Sequence, residues 1–570
     1  MAIFPPLPGE TAAPQRLVGQ NRLRLIGIGF AACFLAIGGQ LGYLTIWQGR
    51  NAIERPLSGE LDRIPRPDIV DRNGVVLATD IKVSSLFADP RKILDVDEAV
   101  ELLTATSPDL DAKSLRQKLS QPNRAFVWLK REVGPVEREA IHNLGIPGID
   151  FRTETKRIYP MGRLAAHVLG YVDLDSKGIA GIEKFLDDQG ALYTASLTDP
   201  SEHRAEPAEL SLDARVQHVL TDEVSKAVTH FKATAGGGVV LDIDTGEVIA
   251  LVSLPDFNPN QEPKNFTKEQ NNRMTSGVYE LGSVIKAITF AMAFDYGTAN
   301  LQSTYDARST LVIGRAVIHD FHATHRVLSV PEIFTKSSNI GTARMALEVG
   351  VERHQAFLRK VGLFDRLITE VPESAKPLLP ARWSKLVTAT AAFGHGFAVQ
   401  PLQGAAVVAA LLNGGNEIPI TFLKRDAAEA ETMARRIIKP ETSAMLRYLF
   451  RLNATEGSAA KADSIGYRVG GKTGTAEKVF NGVYVHDRLL CSFIGAFPMD
   501  KPRYLLLVML DEPKPLPETY GFATAGWNAV PAAGDIVARI APILGVDPVL
   551  TDEDRAKLAK QRTAALAKAR

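Results

Sequence analysis

Gly282-Ser283-Val284-Ile285-Lys286-Ala287-Ile288-Thr289-Phe290-Ala291-Met292-Ala293-Phe294 decides the reading of this chain. The run is apolar around most of a helix, so the helix should be buried. Gly282 lets the chain turn sharply and places Ser283 at the positive helix end. A serine hydroxyl is a weak nucleophile that must shed its proton as it attacks a carbonyl. Lys286, three residues on, shares a helix face with Ser283. It can take that proton only if its pKa is lowered, by apolar surroundings or by a second cation nearby.

Two later motifs supply what is missing. Ser337-Ser338-Asn339 adds a proton-relaying hydroxyl and an amide, and Lys472-Thr473-Gly474, followed by Thr475, adds a second cation. Ser-x-x-Lys alone says little, because about two matches arise by chance in a chain this long. The other one is Ser458-Ala459-Ala460-Lys461, and only Ser283 precedes both remaining motifs. Thr455–Asp463 around that second tetrad reads as a polar loop with nothing to desolvate its lysine. Ser329-Val330-Pro331-Glu332 matches a capping box opening a short helix, and a second helix runs from about Asn339 to Gly350. Ser337 and Asn339 then lie in the tight link between two helices, where side chains can face a cleft. Nucleophile, base, relay and cationic anchor together make a kit for acyl transfer.

The chain has 570 residues, 45% of them hydrophobic, and a net charge of +1. That length suggests several domains, and the charge offers no nucleic-acid surface. Leu25 to Trp47 carries no charge and is long enough to span a bilayer. Arg16, Arg22 and Arg24 precede it and put the N-terminus in the cytoplasm. It is too long for the apolar core of a cleaved signal peptide, so it reads as an uncleaved anchor. Gly38 and Gly42 give it a Gly-x-x-x-Gly spacing suited to close helix packing in lipid. Of the two cysteines, Cys33 falls in the anchor and Cys491 in an apolar run, so no intrachain disulfide is expected and Cys491 should be a buried strand residue.

The pattern predicts five segments: a cytoplasmic tail over 1–24, the anchor over 25–47, a mixed α/β domain over 51–231, a catalytic domain over 232–548 and a basic tail over 549–570. Asp68 to Ala78 reads as a hairpin turning at Asn73-Gly74, and Val239–Ser253 as another turning at Asp244-Thr245-Gly246. Gly236-Gly237-Gly238 marks a boundary. Strands are expected at Tyr467–Gly470 leading into Lys472, at Leu489–Phe497 and at Tyr504–Leu510, with a last helix over Asn528–Leu544. The fold class is α+β: one largely antiparallel sheet flanked by helices. His319-Asp320-Phe321-His322-Ala323-Thr324-His325 could hold zinc if helical, but lacks apolar periodicity and reads as a loop at the cleft entrance.

The three motifs in this order are a known signature, and the chain resembles the class B penicillin-binding proteins, most closely their division-specific branch. Asp71-Arg72-Asn73-Gly74, Arg157-Ile158-Tyr159-Pro160, Ala166–Val172 and Gly178–Glu183 are similar to that family's non-catalytic pedestal. Pro331–Phe334, Ser337–Gly341 and Gly471–Ala476 look like its division branch, while Leu281 and Val284 stand where the family more often has Pro and Thr. The resemblance implies a serine β-lactamase-like catalytic fold and a peptidoglycan D,D-transpeptidase acting on septal stem peptides. Ser283 would attack the penultimate D-Ala carbonyl with Lys286 as base. Ser337 and Asn339 would relay the proton and hold the peptide amide, and Lys472, Thr473, Gly474 and Thr475 would bind the terminal carboxylate. D-Ala would leave and an acceptor amine take its place, with no metal or organic cofactor, and β-lactams would inhibit. Implied partners are an FtsW-like glycosyltransferase and other divisome proteins, at the septum of a bacterial inner membrane with the catalytic domain in the periplasm. An elongation-specific transpeptidase, a β-lactamase or carboxypeptidase, and a membrane-anchored scaffold are the competing readings.

Overall fold

The computed structural model describes residues 66–189, 206–261, 267–480 and 482–568, with seven residues between 28 and 38. Those seven are helical and exposed, and the rest of the expected anchor, Cys33 included, lies outside the described residues. Among the described residues no helix is long and apolar enough to cross a membrane. The chain divides into two compact units, Met1–Ile64 and Pro65–Arg570, and everything below concerns the second.

The first expected hairpin forms at Asp71–Gly74. Ile69–Val70 pairs antiparallel with Val76–Ala88, and Gly74 turns the chain at a φ of +84°. Asp71 Oδ1 accepts the N–H groups of Asn73 and Val75 at 2.8 and 2.9 Å, which fixes the turn. Val76–Ala88 is the centre of a five-stranded sheet, paired with Val127–Val133 and Ile149–Ile158. Leu86, Ala88, Val127 and Leu129 pack on Val100, Leu103, Leu115 and Ile141 from three short helices. At its other end Glu183, fully buried, accepts from Arg66 Nε at 2.9 Å and Arg157 Nε at 2.7 Å, and Arg157 also reaches Asp80 at 3.1 Å. A carboxylate held between two guanidiniums is neutralised in place, and losing one partner would strand buried charge.

The same turn joins this domain to the next. Asp71 Oδ2 accepts the Ala214 N–H at 3.0 Å and Asn73 Nδ2 donates to Asp213 Oδ2 at 3.1 Å. Asp213 caps the helix Ala214–His230, which lies against a second five-stranded sheet. That sheet is wholly antiparallel, in the order Gly470–Phe480, Val483–Phe497, Tyr504–Asp511, Ala235–Asp242, Val248–Leu254. Its side chains alternate between two apolar layers, as the strand period of two requires. Val239, Leu241, Leu505, Leu507 and Ile494 face the helical layer that holds the Lys286–Asp295 helix. Val240, Leu506, Val508, Cys491 and Phe493 face the helices Ala214–His230 and Ala529–Ile543. The antiparallel sheet flanked by helices, the second hairpin, the buried strand position of Cys491 and the last helix, capped by Asn528, all match expectation.

Gly236-Gly237-Gly238, expected to mark a boundary, lies in the second sheet's first strand along the chain, which is fully buried. A Cβ at Gly236 would stand 2.5 Å from Val228 Cγ2, and one at Gly238 3.0 Å from Leu220 Cδ1, so these glycines let the Ala214–His230 helix sit close on the sheet. The strand expected to lead into Lys472 begins at Gly470 and runs through the motif to Phe480, while Tyr467 belongs to a turn. An edge strand beside a cleft can carry polar residues on its open side, and that hides the strand pattern.

Candidate active site

Ser283, the candidate nucleophile, sits where a turn, a helix and a sheet edge meet. Gly282 has a φ of +55°, and Gly282–Ile285 forms a single 3-10 turn that continues into the helix Lys286–Asp295. Two other glycines let this turn seat. A Cβ at Gly474 would stand 2.7 Å from Leu281 O and 3.0 Å from Val284 Cγ2, and one at Gly394 would stand 2.1 Å from Gly282 O. Gly474 thus belongs to its motif because the strand passes directly over the nucleophile turn. Ser283 is partly exposed, while its neighbours Gly282, Val284, Ile285 and Lys286 are buried.

The other two motifs converge on Lys286. The capping box closes as expected on Ser329 and Glu332, and opens a helix over Val330–Thr335. Ser338 then caps the helix Asn339–Val349, which stops at Gly350. Ser337 lies between the two helices with a φ of +56°, which turns its hydroxyl toward the lysines. Lys286 Nζ donates to the carbonyl and the hydroxyl of Ser337, the latter at 3.0 Å, and Lys472 Nζ donates to the same Ser337 hydroxyl at 3.0 Å. Both lysines are fully buried. Burial, and then the neighbouring Lys472 charge, pull the Lys286 pKa well down, with Asp320 opposing. Burial brings Lys472 down to about 7. An ammonium in a low-dielectric site beside a like charge gives up its proton first, so the pair favours a neutral Lys286 beside a charged Lys472.

Asn339 Nδ2 donates to His319 O at 3.0 Å, a bond that uses the amide nitrogen and not its oxygen. Thr473 is on the edge strand and 8% exposed. The Thr475 hydroxyl accepts the Ala525 N–H at 3.1 Å and neighbours Cys491.

Several contributors escaped the sequence reading. The His319–His325 stretch is irregular, and among the described residues no His, Cys, Asp or Glu cluster could hold a metal ion. Its Asp320 instead accepts the Ser338 hydroxyl at 2.7 Å and the Ile340 N–H at 2.9 Å, locking the middle motif from behind. The second Ser-x-x-Lys tetrad is not a plain loop: Glu456 still belongs to the helix Pro440–Glu456, and Ala459 and Ala462 are buried. Ser458 Oγ lies 2.8 Å from Thr473 Oγ1, and the Lys461 ammonium lies 3.6 Å above the Trp527 ring. No local signal marks any of these, since each partner is remote in sequence.

Residues 236–533 match the penicillin-binding protein transpeptidase domain, and 62–189 the penicillin-binding protein dimerisation domain. A probable peptidoglycan D,D-transpeptidase FtsI of Caulobacter vibrioides is 39% identical over 91% of this chain and 86% of its own. The probable peptidoglycan D,D-transpeptidase PenA of Neisseria gonorrhoeae is 33% identical over 95% of this chain and 96% of its own. The fold is shared with penicillin-binding protein 3 of Mycobacterium tuberculosis, solved with aztreonam, at a TM-score of 0.65 and 24% identity over 86% of this chain and 98% of that one.

Proposed function

The chain belongs to the class B penicillin-binding proteins, and on that footing we propose how its residues carry out peptidoglycan D,D-transpeptidation. The donor stem peptide lies along the open edge of the Gly470–Phe480 strand, where unpaired backbone groups can add a strand. Lys472 and Thr473 hold its terminal carboxylate, and Asn339 takes its peptide N–H. Ser283 Oγ attacks the penultimate D-Ala carbonyl and gives its proton to neutral Lys286. The backbone N–H groups of Ser283 and Thr475 hold the oxyanion, where one such donor is worth about 3 kcal/mol. The proton passes from Lys286 through the Ser337 hydroxyl to the departing amine, and free D-Ala leaves an ester on Ser283. An acceptor amine then attacks that ester, its proton returns by the reverse path, and Ser283 regains its own. A β-lactam acylates the same serine, but its leaving amine stays tethered.

The observation that carries this reading is the Ser337 hydroxyl, held at 3.0 Å by two fully buried lysines, one from a helix and one from the edge strand. A structural hydroxyl gains nothing from two ammonium groups that each cost burial. Catalysis needs one to be neutral and one charged. The readout is D-Ala release from a donor pentapeptide with an acceptor amine present. Lys286→Arg abolishes it, because guanidinium stays protonated, and Lys472→Arg retains more. Equal loss in both variants contradicts the division of labour.

The role in division, the single-pass anchor over Leu25–Trp47 with the catalytic domain in the periplasm, and pairing with an FtsW-like glycosyltransferase belong to the same proposal. They rest on the uncharged segment behind Arg16, Arg22 and Arg24, on its small-residue spacing, and on the similarity to FtsI proteins.

A further inference from the structure

The second Ser-x-x-Lys tetrad is built into the wall of the first active site. Asn453, fully buried at the end of the Pro440–Glu456 helix, donates from Nδ2 to Gly471 O at 2.7 Å. Its Oδ1 takes the Ser458 N–H at 3.1 Å and stands 3.4 Å from the Ser458 hydroxyl. One amide therefore ties the edge strand, next to Lys472, to the backbone of Ser458. Ser458 Oγ in turn meets Thr473 Oγ1 at 2.8 Å. On the far side of the tetrad, Lys461 lies on Trp527, whose ring is stacked parallel to Phe522. Ser458 is thus fixed from both sides, and Thr473 Oγ1 is the nearer of the two partners of its hydroxyl.

We propose that Ser458 is a positioning residue for the donor carboxylate, acting by donating its hydroxyl proton to Thr473 Oγ1. The proposal rests on the assignment of Thr473 to that carboxylate. Proton counting gives the direction. A hydroxyl has one proton to donate. A carboxylate only accepts, so Thr473 must spend its single proton on it. The 2.8 Å contact survives only if Ser458 then supplies its own proton to the Thr473 oxygen. The alternative acceptor for Ser458, Asn453 Oδ1 at 3.4 Å, is the longer of the two and already holds the Ser458 N–H, so little is lost when the proton turns. The resulting chain, Ser458 to Thr473 to carboxylate, polarises the Thr473 hydroxyl toward the anion and holds its rotamer. No bond is made or broken at Ser458, and its lysine neighbour Lys461 faces the aromatic ring rather than the hydroxyl.

The test compares acylation by a penicillin bearing its free carboxylate with acylation by the same penicillin as its methyl ester, on the intact protein. Ser458→Ala lowers the second-order rate about ten-fold for the carboxylate and leaves the ester within about two-fold, the upper end of the scale for one hydrogen bond between neutral groups. Ser458→Thr, which keeps the hydroxyl, restores the carboxylate rate. An equal loss for both probes would mean a structural role, and no loss for either would mean an idle contact; each overturns the proposal. Thr473→Ala is run beside them. If it discriminates the probes while Ser458→Ala does not, only this inference fails. If it does not discriminate them, the assignment of Thr473 to the carboxylate fails as well.

Discussion

Replacing Lys472 by Met should make the protein more stable and less active at once, and the size of the gain follows from the site. Lys472 is fully buried and touches the Phe334 face with its ammonium 5.7 Å from the ring centre. Met matches its length and can fill the same volume. Burial lowers the Lys472 pKa from 10.5 to about 7. Each unit is about 1.4 kcal/mol, so at pH 7 the site loses about 4 kcal/mol relative to a side chain that does not titrate. Between those two values the unfolded chain binds more protons than the folded one, so stability rises with pH across the window. The advantage of Lys472→Met is therefore largest at and below pH 7 and fades toward pH 10.5. For a domain of about 300 residues, 4 kcal/mol corresponds to about 6 °C in Tm. Thermal unfolding of wild type and variant from pH 6 to pH 10 reads this directly, with penicillin acylation measured in parallel. A variant that is less stable at pH 7, or a gain that does not shrink with rising pH, would refute the reasoning that Lys472 is a buried charge retained for function.

Further outcomes follow from the same groups. Acylation needs Lys286 neutral and Lys472 charged, so its second-order rate in the free enzyme should rise as Lys286 titrates, well below 10.5, and fall again as pH passes about 7. Lys472→Arg should move the falling limb upward, and a profile rising steadily to pH 10 would contradict the assignment. Asp320→Ala removes the acceptor for the Ser338 hydroxyl and the Ile340 N–H and should slow acylation about ten-fold, the cost of two such bonds at one carboxylate. Asp320→Asn, which keeps one acceptor oxygen, should lose less, as stopped-flow acylation rates would show.

The parts legible in the sequence are those whose signal is local. The Asn73-Gly74 hairpin, the Ser329–Glu332 capping box and the Asn528-capped helix each announce themselves within a few residues. The three motifs were legible because their order and residue types specify chemistry, although the bonds joining them span 51 residues for Lys286–Ser337 and 135 for Lys472–Ser337. What stayed hidden depends on distant partners. The close seat of the Ala214–His230 helix on Gly236 and Gly238 shows only once the two are brought together. Asp320 looks like part of a histidine-rich loop until Ser338 arrives from 18 residues away. Ser458 belonged to the wrong tetrad for a nucleophile, and only the fold puts its hydroxyl on Thr473. The Ala525 N–H that the Thr475 hydroxyl accepts lies 50 residues away, a contact that no spacing could show.

The central claim is that Ser283 is the nucleophile of a site completed by Lys286, Ser337 and Lys472. Labelling the purified protein with a fluorescent penicillin, followed by proteolysis and mass mapping of the adduct, tests it most directly. The adduct should fall on Ser283 alone and vanish in Ser283→Ala, while that variant's thermal unfolding stays unchanged. Recovery of the adduct on Ser458, or undiminished labelling of Ser283→Ala, would contradict the account.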